Sequence, residues 1–541
     1  MGPRQRRRHL SVAKPLRPHA GYAPGHETAR RASSTTDQVM TGWLPRSQEP
    51  SSSWARERDR AVGRTRDLIQ NEGWASSYVS RQTEMVAGQT FRYSAKPRVM
   101  SRLLGISLDH ARHLAGEIET AFQSWGNDPL WRADWQRDLD FGGLINLLTR
   151  EFFASGEGLG ILRWDEQSEP DWPWRTSLQV IDADRLSNPY GRLEDIRFRH
   201  GIERDENGRH ALAYHFREAH PSDPSAWGQQ LRWERVPVRT EWGRPIVIHV
   251  RAKTRPDETR GVSKLVTALR KIKMLQRFSD AELQTAAVNA LFAGVIYSTN
   301  SHAADDLGIQ DMLQQSEARK EYYDGADPRL SDGSRVAALF PGDQFDLNTA
   351  QRPGGNYQAF QTAFLQAIAS GLDMSYEQLA SDWSKTNYSS GRMALVEGWR
   401  HVMSARRIVA SQAGFPIMLA VVEEALDLGK IEQPPGAPDL YENPAGWLAG
   451  DWIGPGRGWV DPVKEAEGAR LRIAAGLSSH EREAAEQGGD WESILGQQMD
   501  ERAAFRAAGF MPSTVSEQIG HNGGPPFSAD DEFDNEEEAR A

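Results

Sequence analysis

Residues Tyr357–Ala410 read YQAFQTAFLQAIASGLDMSYEQLASDWSKTNYSSGRMALVEGWRHVMSARRIVA. The spacing predicts a helix, a polar loop and a second helix. Phe360, Phe364, Ala367 and Ile368 recur every three or four residues, the pattern of one buried helical face. Gly371 ends that helix. The segment Asp373–Ser389 is short, polar and aromatic, and gathers Trp383, Lys385, Asn387 and Tyr388. Ser389 or Ser390 caps the next helix, whose apolar stripe is Met393, Val396, Trp399, Val402 and Met403. No catalytic motif lies here. The stretch reads as two rigid helices presenting a small loop to something that passes by.

Outward from this stretch, composition sets limits. A chain of 541 residues exceeds one ordinary core, so several domains or a large layered architecture are expected. Hydrophobic residues make up 38%, a deficit carried partly by polar tails. There are no cysteines, which excludes disulfides, thiolate metal sites and a thiol nucleophile. No apolar run approaches the ~20 residues of a spanning helix. The N-terminus lacks a signal peptide's apolar core, so a soluble, non-secreted protein is expected. Net charge is -11, unevenly spread: the N-terminal stretch opens with Arg4, Arg6, Arg7 and Arg8, whereas the end reads SADDEFDNEEEARA. A basic arm suits nucleic acid or an acidic partner; the alternative is a solvated tail. Overall acidity suits a protein that DNA slides past better than one that grips it.

Residues 1–53 lack periodicity and read as a basic disordered arm, with structure starting near Trp54. A charged helix ends near Asn71-Glu72-Gly73, and a second runs over Ala75–Val86. Gln89–Ser94 reads as a strand. Two further helices follow, over 108–124 and over Leu139–Ala154, with Trp125, Trp131 and Trp135 crowding the turn between. Leu178–Val250 is β-rich; Asp205-Glu206-Asn207-Gly208 marks a hairpin between Ile202–Glu203 and Ala211–Phe216, and Ile246–Val250 reads as a short buried strand. Val262–Ala293 is the longest helical pattern, with Lys264, Arg270, Lys271 and Lys273 off its apolar stripe. Next comes an excursion: a strand at Val295–Ser298, a polar insertion at Asp305–Ser334, a strand near Arg335–Leu339 and a turn at Pro341-Gly342-Asp343. Phe415–Leu428 is an apolar helix. Glu432–Gly458 reads as a Pro/Gly/Trp-rich loop, charged helices follow Asp461, and 511–541 reads as disordered.

The sequence offers little catalytic chemistry. No zinc-protease, Walker or nucleophile-elbow motif is present. Gly156-Glu157-Gly158-Leu159-Gly160 lies between a helix and a strand, the wrong context for a phosphate loop, and reads as a tight turn. Asp182 and Asp184 form a D-x-D pair that could hold a metal, but no third ligand is evident nearby, so solvated carboxylates are expected. His249 sits in an apolar strand and reads as a satisfied core or interface histidine. The competing enzymatic reading is a metal-dependent nuclease built on Asp182 and Asp184.

The words LASDWSKTNYSSGRMALVEGWR resemble the signature of the lambda-type family of tailed-phage portal proteins. ARERDRAVGRTRDLIQNEGWASSYVSRQTEMVAGQTFRYSAKP resembles the family's opening, and SLQVIDADRL, IVIHV, RPDETRGVSKL, NALFAG, FPGDQFDLN and WVDPVKEAEGARLRIAAGL follow in the family's order. The resemblance implies an α+β protomer. Residues 54–261 would be the wing, 262–294 and 353–372 the stem helices, and 295–352 the clip. Residues 373–388 would hold the tunnel loop, 389–430 the long helix behind it with the helix that follows, and 431–510 the crown. It implies a homo-oligomeric ring of about twelve copies at one capsid vertex, the virion's conduit for genome packaging and ejection, assembled in the host cytoplasm. The implied partners are double-stranded DNA, the terminase large subunit, the head–tail connector and the major capsid or scaffold protein, with no membrane, cofactor, metal or catalytic role. Lys385, Asn387 and Tyr388 would touch DNA, Lys264, Lys271 and Lys273 would face the channel, and Trp383 and Trp399 would pack between subunits. In the other reading Tyr388 joins Trp383 between subunits and only Lys385 reaches the channel. Another ring-forming head or connector protein would share the oligomer but not the clip–stem order.

Overall fold

The computed structural model describes residues 49, 57–166, 169–291, 295–298, 309–325, 343–346, 357–384, 386–458 and 461–508. The arm apart from Glu49, the C-terminal tail, Lys385 and the strand expected near Arg335–Leu339 lie outside the described residues. Helices α1 (Arg58–Asn71) and α2 (Gly73–Val86) form the expected pair, joined by the extended Glu72. Strand β1 (Arg92–Ala95) follows. Helix α3 (Pro97–Leu104) was not anticipated, although its punctuation is plain: Pro97 in the first turn and Gly105 after the last, with a φ of 72°. Helices α4 (Leu108–Gly126) and α5 (Phe141–Ala154) are capped by the Ser107 and Asp140 side chains. In α4, Ala111, Leu114, Ile118, Ala121 and Phe122 are buried as the spacing requires.

Strand β2 (Glu157–Trp164) is the centre of a small antiparallel sheet between β3 (Thr176–Ile181) and a later strand. The glycines around it serve close approach as well as the turn. A Cβ on Gly158 would lie 2.4 Å from the Leu148 carbonyl of α5, and one on Gly156, whose φ is +96°, would lie 2.3 Å from the Ser263 amide. Strands β4 (Phe198–Arg199), β5 (Ile202–Arg204), β6 (Ala211–Arg217) and β7 (Trp233–Pro237) form a four-stranded meander, with Gly208 turning the expected hairpin. Strand β8 (Val247–Arg251) completes the three-stranded sheet in the order β3–β2–β8. Leu159, Ile161, Ile181, Ile202, Tyr214, Phe216 and Val236 form a separate core shared by the two sheets.

Helix α6 (Leu265–Leu291) buries Leu265, Ala268, Ile272 and Leu275 and leaves Met274 and Leu283 exposed. Strand β9 (Val295–Ser298) follows; helix α7 (Ile309–Gly325) occupies part of the polar insertion, where no periodicity predicts a helix. Its low apolar content hid it, because no stripe marks a helix that is polar around its girth. Strand β10 (Asp343–Asp346) pairs antiparallel with β9, closing the excursion on itself; Asp343 therefore lies in a strand, not in the turn expected there. Helix α8 (Tyr357–Gly371) returns along α6, with Phe278 stacked on Tyr357 and 4.4 Å from Phe360 by ring centroids. Its buried face is Leu365, Ile368 and Ala369; Phe360 stays 39% exposed, so the anticipated face is rotated by part of a turn.

Beyond α9 (Tyr376–Ala380), α10 (Tyr388–Val409) runs through a single π-turn at Ala410–Gly414 into α11 (Phe415–Asp427). The cause is local. Pro416 has no N–H for the carbonyl four residues back, and a wider turn absorbs the loss. The turn also frees the Gln412 side chain to accept the Arg251 amide of β8 at 2.7 Å. Among the described residues this joined helix is apolar and long enough to cross a membrane, but 61% of its most apolar window is buried inside the protein, as in a core helix.

The stretch expected to be loop, Glu432–Gly458, instead closes the main core. It holds α12 (Pro444–Trp447) and β11 (Gly450–Ile453), which pairs antiparallel with β1. Trp452 stacks on Phe91 at 5.1 Å and meets Tyr93, Phe122, Phe141 and Phe415. Helices α13 (Pro462–Ala474), α14 (His480–Glu486) and α15 (Trp491–Ala507) follow, and neither α14 nor α15 buries a residue.

Candidate functional site

The polar loop is smaller than its sequence suggested. Its first part is docked: Ser375 and Gln378 form a capping box on α9, Met374 and Leu379 are buried, and Arg81 of α2 donates to the Gln378 carbonyl and, at 2.6 Å, to the Ser381 hydroxyl. Ser381 takes a left-handed φ of 56°. From there a short segment projects. Asp382 fixes it by accepting from the Tyr376 hydroxyl at 3.1 Å and from the Ser384 hydroxyl at 2.6 Å, and Trp383 is 47% exposed.

The segment ends at Asn387, which corrects the expected cap. Asn387, not Ser389 or Ser390, is the N-cap of α10; its side chain accepts from the Ser390 amide at 2.8 Å, and the Ser390 hydroxyl accepts from the Asn387 amide at 3.2 Å. The Asn387 carbonyl-type oxygen is thus committed to the helix while the residue stays exposed. Tyr388 is the first helical residue. Lys385 lies outside the described residues. Trp399 is half-buried against the core, under the Arg406 guanidinium at 5.4 Å from its ring centroid.

Of the three lysines expected to face a channel, one meets the returning helix and one a residue just beyond its end. Lys264 pairs with Asp373, and Lys271 donates to the Ala367 carbonyl at 3.4 Å. Lys273 reaches Gln276 on its own helix at 2.9 Å. Asp373, itself at a positive φ of 55°, also lies 3.5 Å from His401 of α10, so this carboxylate ties α6, the loop and α10 together.

A buried ion cluster fixes the root of α6. Glu157 is fully buried in β2. Arg58 donates to it at 2.5 Å, the Arg260 Nε at 2.7 Å and the Gly261 amide at 3.1 Å. Arg260 also donates to the Ala183 and Leu186 carbonyls, linking the cluster to the second core. Burial pushes the Glu157 carboxyl up, but Arg260 and Arg58 outweigh it and hold it well below the carboxylate range. Burial and Arg251 push His249 down to about 4, so it is neutral near pH 7. Its Nε2 therefore donates to Glu157 at 3.0 Å, and its Nδ1 accepts from the Tyr214 hydroxyl at 2.9 Å. His249 is the satisfied core histidine that its apolar strand suggested. Glu157, inside the segment that the sequence reads as a tight glycine turn, is the centre of the cluster. The available signal was one carboxylate within an otherwise apolar strand.

Asp182 and Asp184 do have a third neighbour that sequence distance concealed. His220 brings a ring nitrogen to 3.6 Å from Asp184, close enough for the three to share a cation. Arg66 already fills that role: it grips both Asp182 oxygens at 2.7 and 2.8 Å, lies 3.1 Å from Asp184 and reaches Glu151 at 3.4 Å. Against burial, which pushes it up, Arg66 holds the Asp182 carboxyl below its ordinary value. As arranged, this is an ion-pair network between α1 and β3, with a guanidinium where a metal would sit.

The fold is an α+β protomer with an anchored loop, a helical hairpin carrying a small excursion and a C-terminal set of helices tied back to β1 by Arg92 and Ser94. Residues 36–406 match the family model described as phage portal protein, lambda family, and the chain belongs to that family. It is 31% identical over 508 residues to the portal protein of Escherichia phage N15, and 31% identical over 508 residues to portal protein B of Escherichia phage lambda, covering 92% of both chains in each case. A solved neck structure of an empty gene transfer agent particle aligns with a TM-score of 0.45 at 14% identity, covering 79% of this chain and 93% of that one. The role is that of a portal protein, at the portal vertex of a virion.

Proposed function

We propose that this chain is one subunit of a closed ring of about twelve copies that conducts double-stranded DNA during genome packaging and ejection. The observation that carries the reading is the short segment from Ser381 to Asn387, fixed at both ends by Arg81 and by the α10 cap. A loop held this way can touch a moving polymer without being dragged out of place. Lys385, Asn387 and Tyr388 contact phosphates without reading sequence. Trp383 and Trp399 pack near the subunit boundary. Lys264, Lys271 and Lys273 add positive charge along the stem, although their present partners make them secondary.

In this reading residues 54–261 are the wing, α6 and α8 the stem, 295–352 the clip that meets the terminase large subunit and the head–tail connector, and 431–510 the crown. The capsid or scaffold protein surrounds the ring. In this reading the protein acts mechanically rather than as an enzyme; the nuclease reading of Asp182 and Asp184 has Arg66 against it. The test is Lys385→Glu. Slower packaging and ejection, with a changed salt dependence and an intact ring, is the expected result. Unchanged transport across salt concentrations would overturn the contact role. Cleavage of DNA by the pure protein with Mg²⁺ or Mn²⁺, abolished by Asp182→Ala, would restore the enzyme reading.

A further inference from the structure

The loop between β3 and β4 displays three large apolar side chains to solvent: Tyr190 is 80% exposed, Leu193 86% and Ile196 57%. Solvated loops seldom carry so many, and this one is firmly built. Asn188 donates to the Arg192 carbonyl at 3.1 Å and accepts from the Gly201 amide. Asp195 accepts from the Arg197 and Phe198 amides at 2.8 and 2.7 Å. The Arg192 guanidinium lies 4.1 Å from the Phe198 ring centroid. Tyr190 holds a φ of 51°, a conformation that costs a non-glycine residue about 1 kcal/mol or more. The Tyr190 ring leans on Trp233, centroids 5.0 Å apart, while its other face and Leu193 stay open; a rigid loop that holds such apolar groups outward is built to be covered.

What covers it is indicated by Glu49. Its carboxylate accepts from Arg199 at 2.6 Å, and the same Arg199 donates to the Asp195 carbonyl at 3.4 Å. The chain therefore reaches the fold beside this loop. Arg58, only nine residues later, is already locked into the Glu157 cluster. Upstream of Glu49, beyond Pro45–Gln48, comes VMTGWL, Val39–Leu44, an apolar run in an otherwise polar and basic arm. Five extended residues span roughly 17 Å, enough to carry Leu44 from Glu49 across the loop. The first charge on the way is Arg46, complementary to Glu194 and Asp195.

We infer that Val39–Leu44 docks on the Tyr190–Ile196 loop of the same chain, with Glu49–Arg199 as its clasp. The docked segment sets where the arm's Arg-rich beginning emerges from the subunit.

The chain has no cysteine, so introduced pairs report cleanly. Trp43→Cys and Leu44→Cys, each combined with Leu193→Cys, are oxidised in the full-length protein, with Leu44→Cys plus Leu471→Cys as control. An internal disulfide that leaves the band monomeric supports the inference. No link above the control overturns it, and so does a ladder of covalent multimers, which would place the arm on a neighbouring copy. Limited trypsin digestion gives a second readout on surface substitutions that leave the core alone. Cleavage after Arg46 is expected to be about tenfold slower than after Arg30 and Arg31, with Leu193→Asp abolishing the difference. Equal rates in the unmodified chain would overturn the inference.

Discussion

At the scale of single residues, the strongest constraint is Glu157. Two guanidiniums, from Arg58 and Arg260, are buried around it and share one carboxylate. Replacing a buried pair with apolar groups can be neutral, whereas removing one partner leaves charge stranded. Glu157→Gln is therefore expected to cost about 3–5 kcal/mol, measured by urea unfolding at pH 7. A change under about 1 kcal/mol would mean that the two arginines find other partners. Acid acts in the same direction. His249 is held below its unfolded pKa, so the stability it contributes is complete above about 6.5 and is lost as pH falls toward 4.

Glu119 works with the opposite sign. Burial, together with Asp490 and Glu492, raises its carboxyl to about 7 although it accepts from the Ala95 amide at 2.7 Å. The folded state then binds a proton that the unfolded state gives up, so this group adds stability as pH falls from about 7 toward 4.5. Glu119→Gln keeps the acceptor and removes the charge. It should stabilise by about 1–2 kcal/mol at pH 8, after allowing for solvent screening, and by nothing near pH 4. Thermal melts at the two pH values decide it; equal effects at both would show that Glu119 is already neutral or fully solvated.

Among the elements, the α9–α10 connection shows how a local rule sets the geometry of the loop proposed to meet DNA. Asn387→Ala removes the cap and should cost about 1 kcal/mol at the start of α10, seen as ~fivefold faster amide exchange at Ser390. Asn387→Asp keeps the cap and adds negative charge to the loop. If exchange stays slow in this variant while DNA transport changes, Asn387 has both roles; unchanged transport leaves it a cap alone. The helix–loop–helix order was legible because helical periodicity survives in single sequences. Asn387 as cap was not, since Ser389 and Ser390 compete for the same position and backbone angles decide. Strand β11 was hidden for another reason: four residues among Pro and Gly carry no period, and only pairing with β1 and the stacking of Trp452 on Phe91 make them a strand. His220 beside Asp184 was beyond local reading altogether, because a contact across 36 residues depends on how the meander folds back.

For the whole molecule, the decisive feature is apolar surface that lies open among the described residues. On α10, Met393 is 73% exposed, Val396 39% and Met403 47%; on α6, Leu283 is 70% exposed and Met274 47%. Met393, Val396 and Met403 belong to the stripe that the sequence marked as buried, and Val402 alone of its strongly apolar members is fully buried within the subunit. A helix stripe that reads as core but lies open in one copy is a natural surface for a neighbouring copy to complete, and the proposed ring supplies one. In a closed ring such a contact is heterologous, one face of each subunit meeting a different face of the next. The double substitution Met393→Asp, Val396→Asp places two charges in that contact without touching the protomer's core. The monomer should unfold at the same urea concentration as the unmodified chain, because neither side chain is buried within it. Native mass spectrometry and negative-stain microscopy should show rings for the unmodified protein and mainly monomers for the double variant. Rings that persist with both charges in place would move the subunit boundary away from α10, and with it the assignment of Trp383 and Trp399 to that boundary. A double variant that fails to fold as a monomer would instead mean that the stripe is covered within the chain, by residues beyond those described, and the argument for a neighbouring copy on this face would fall.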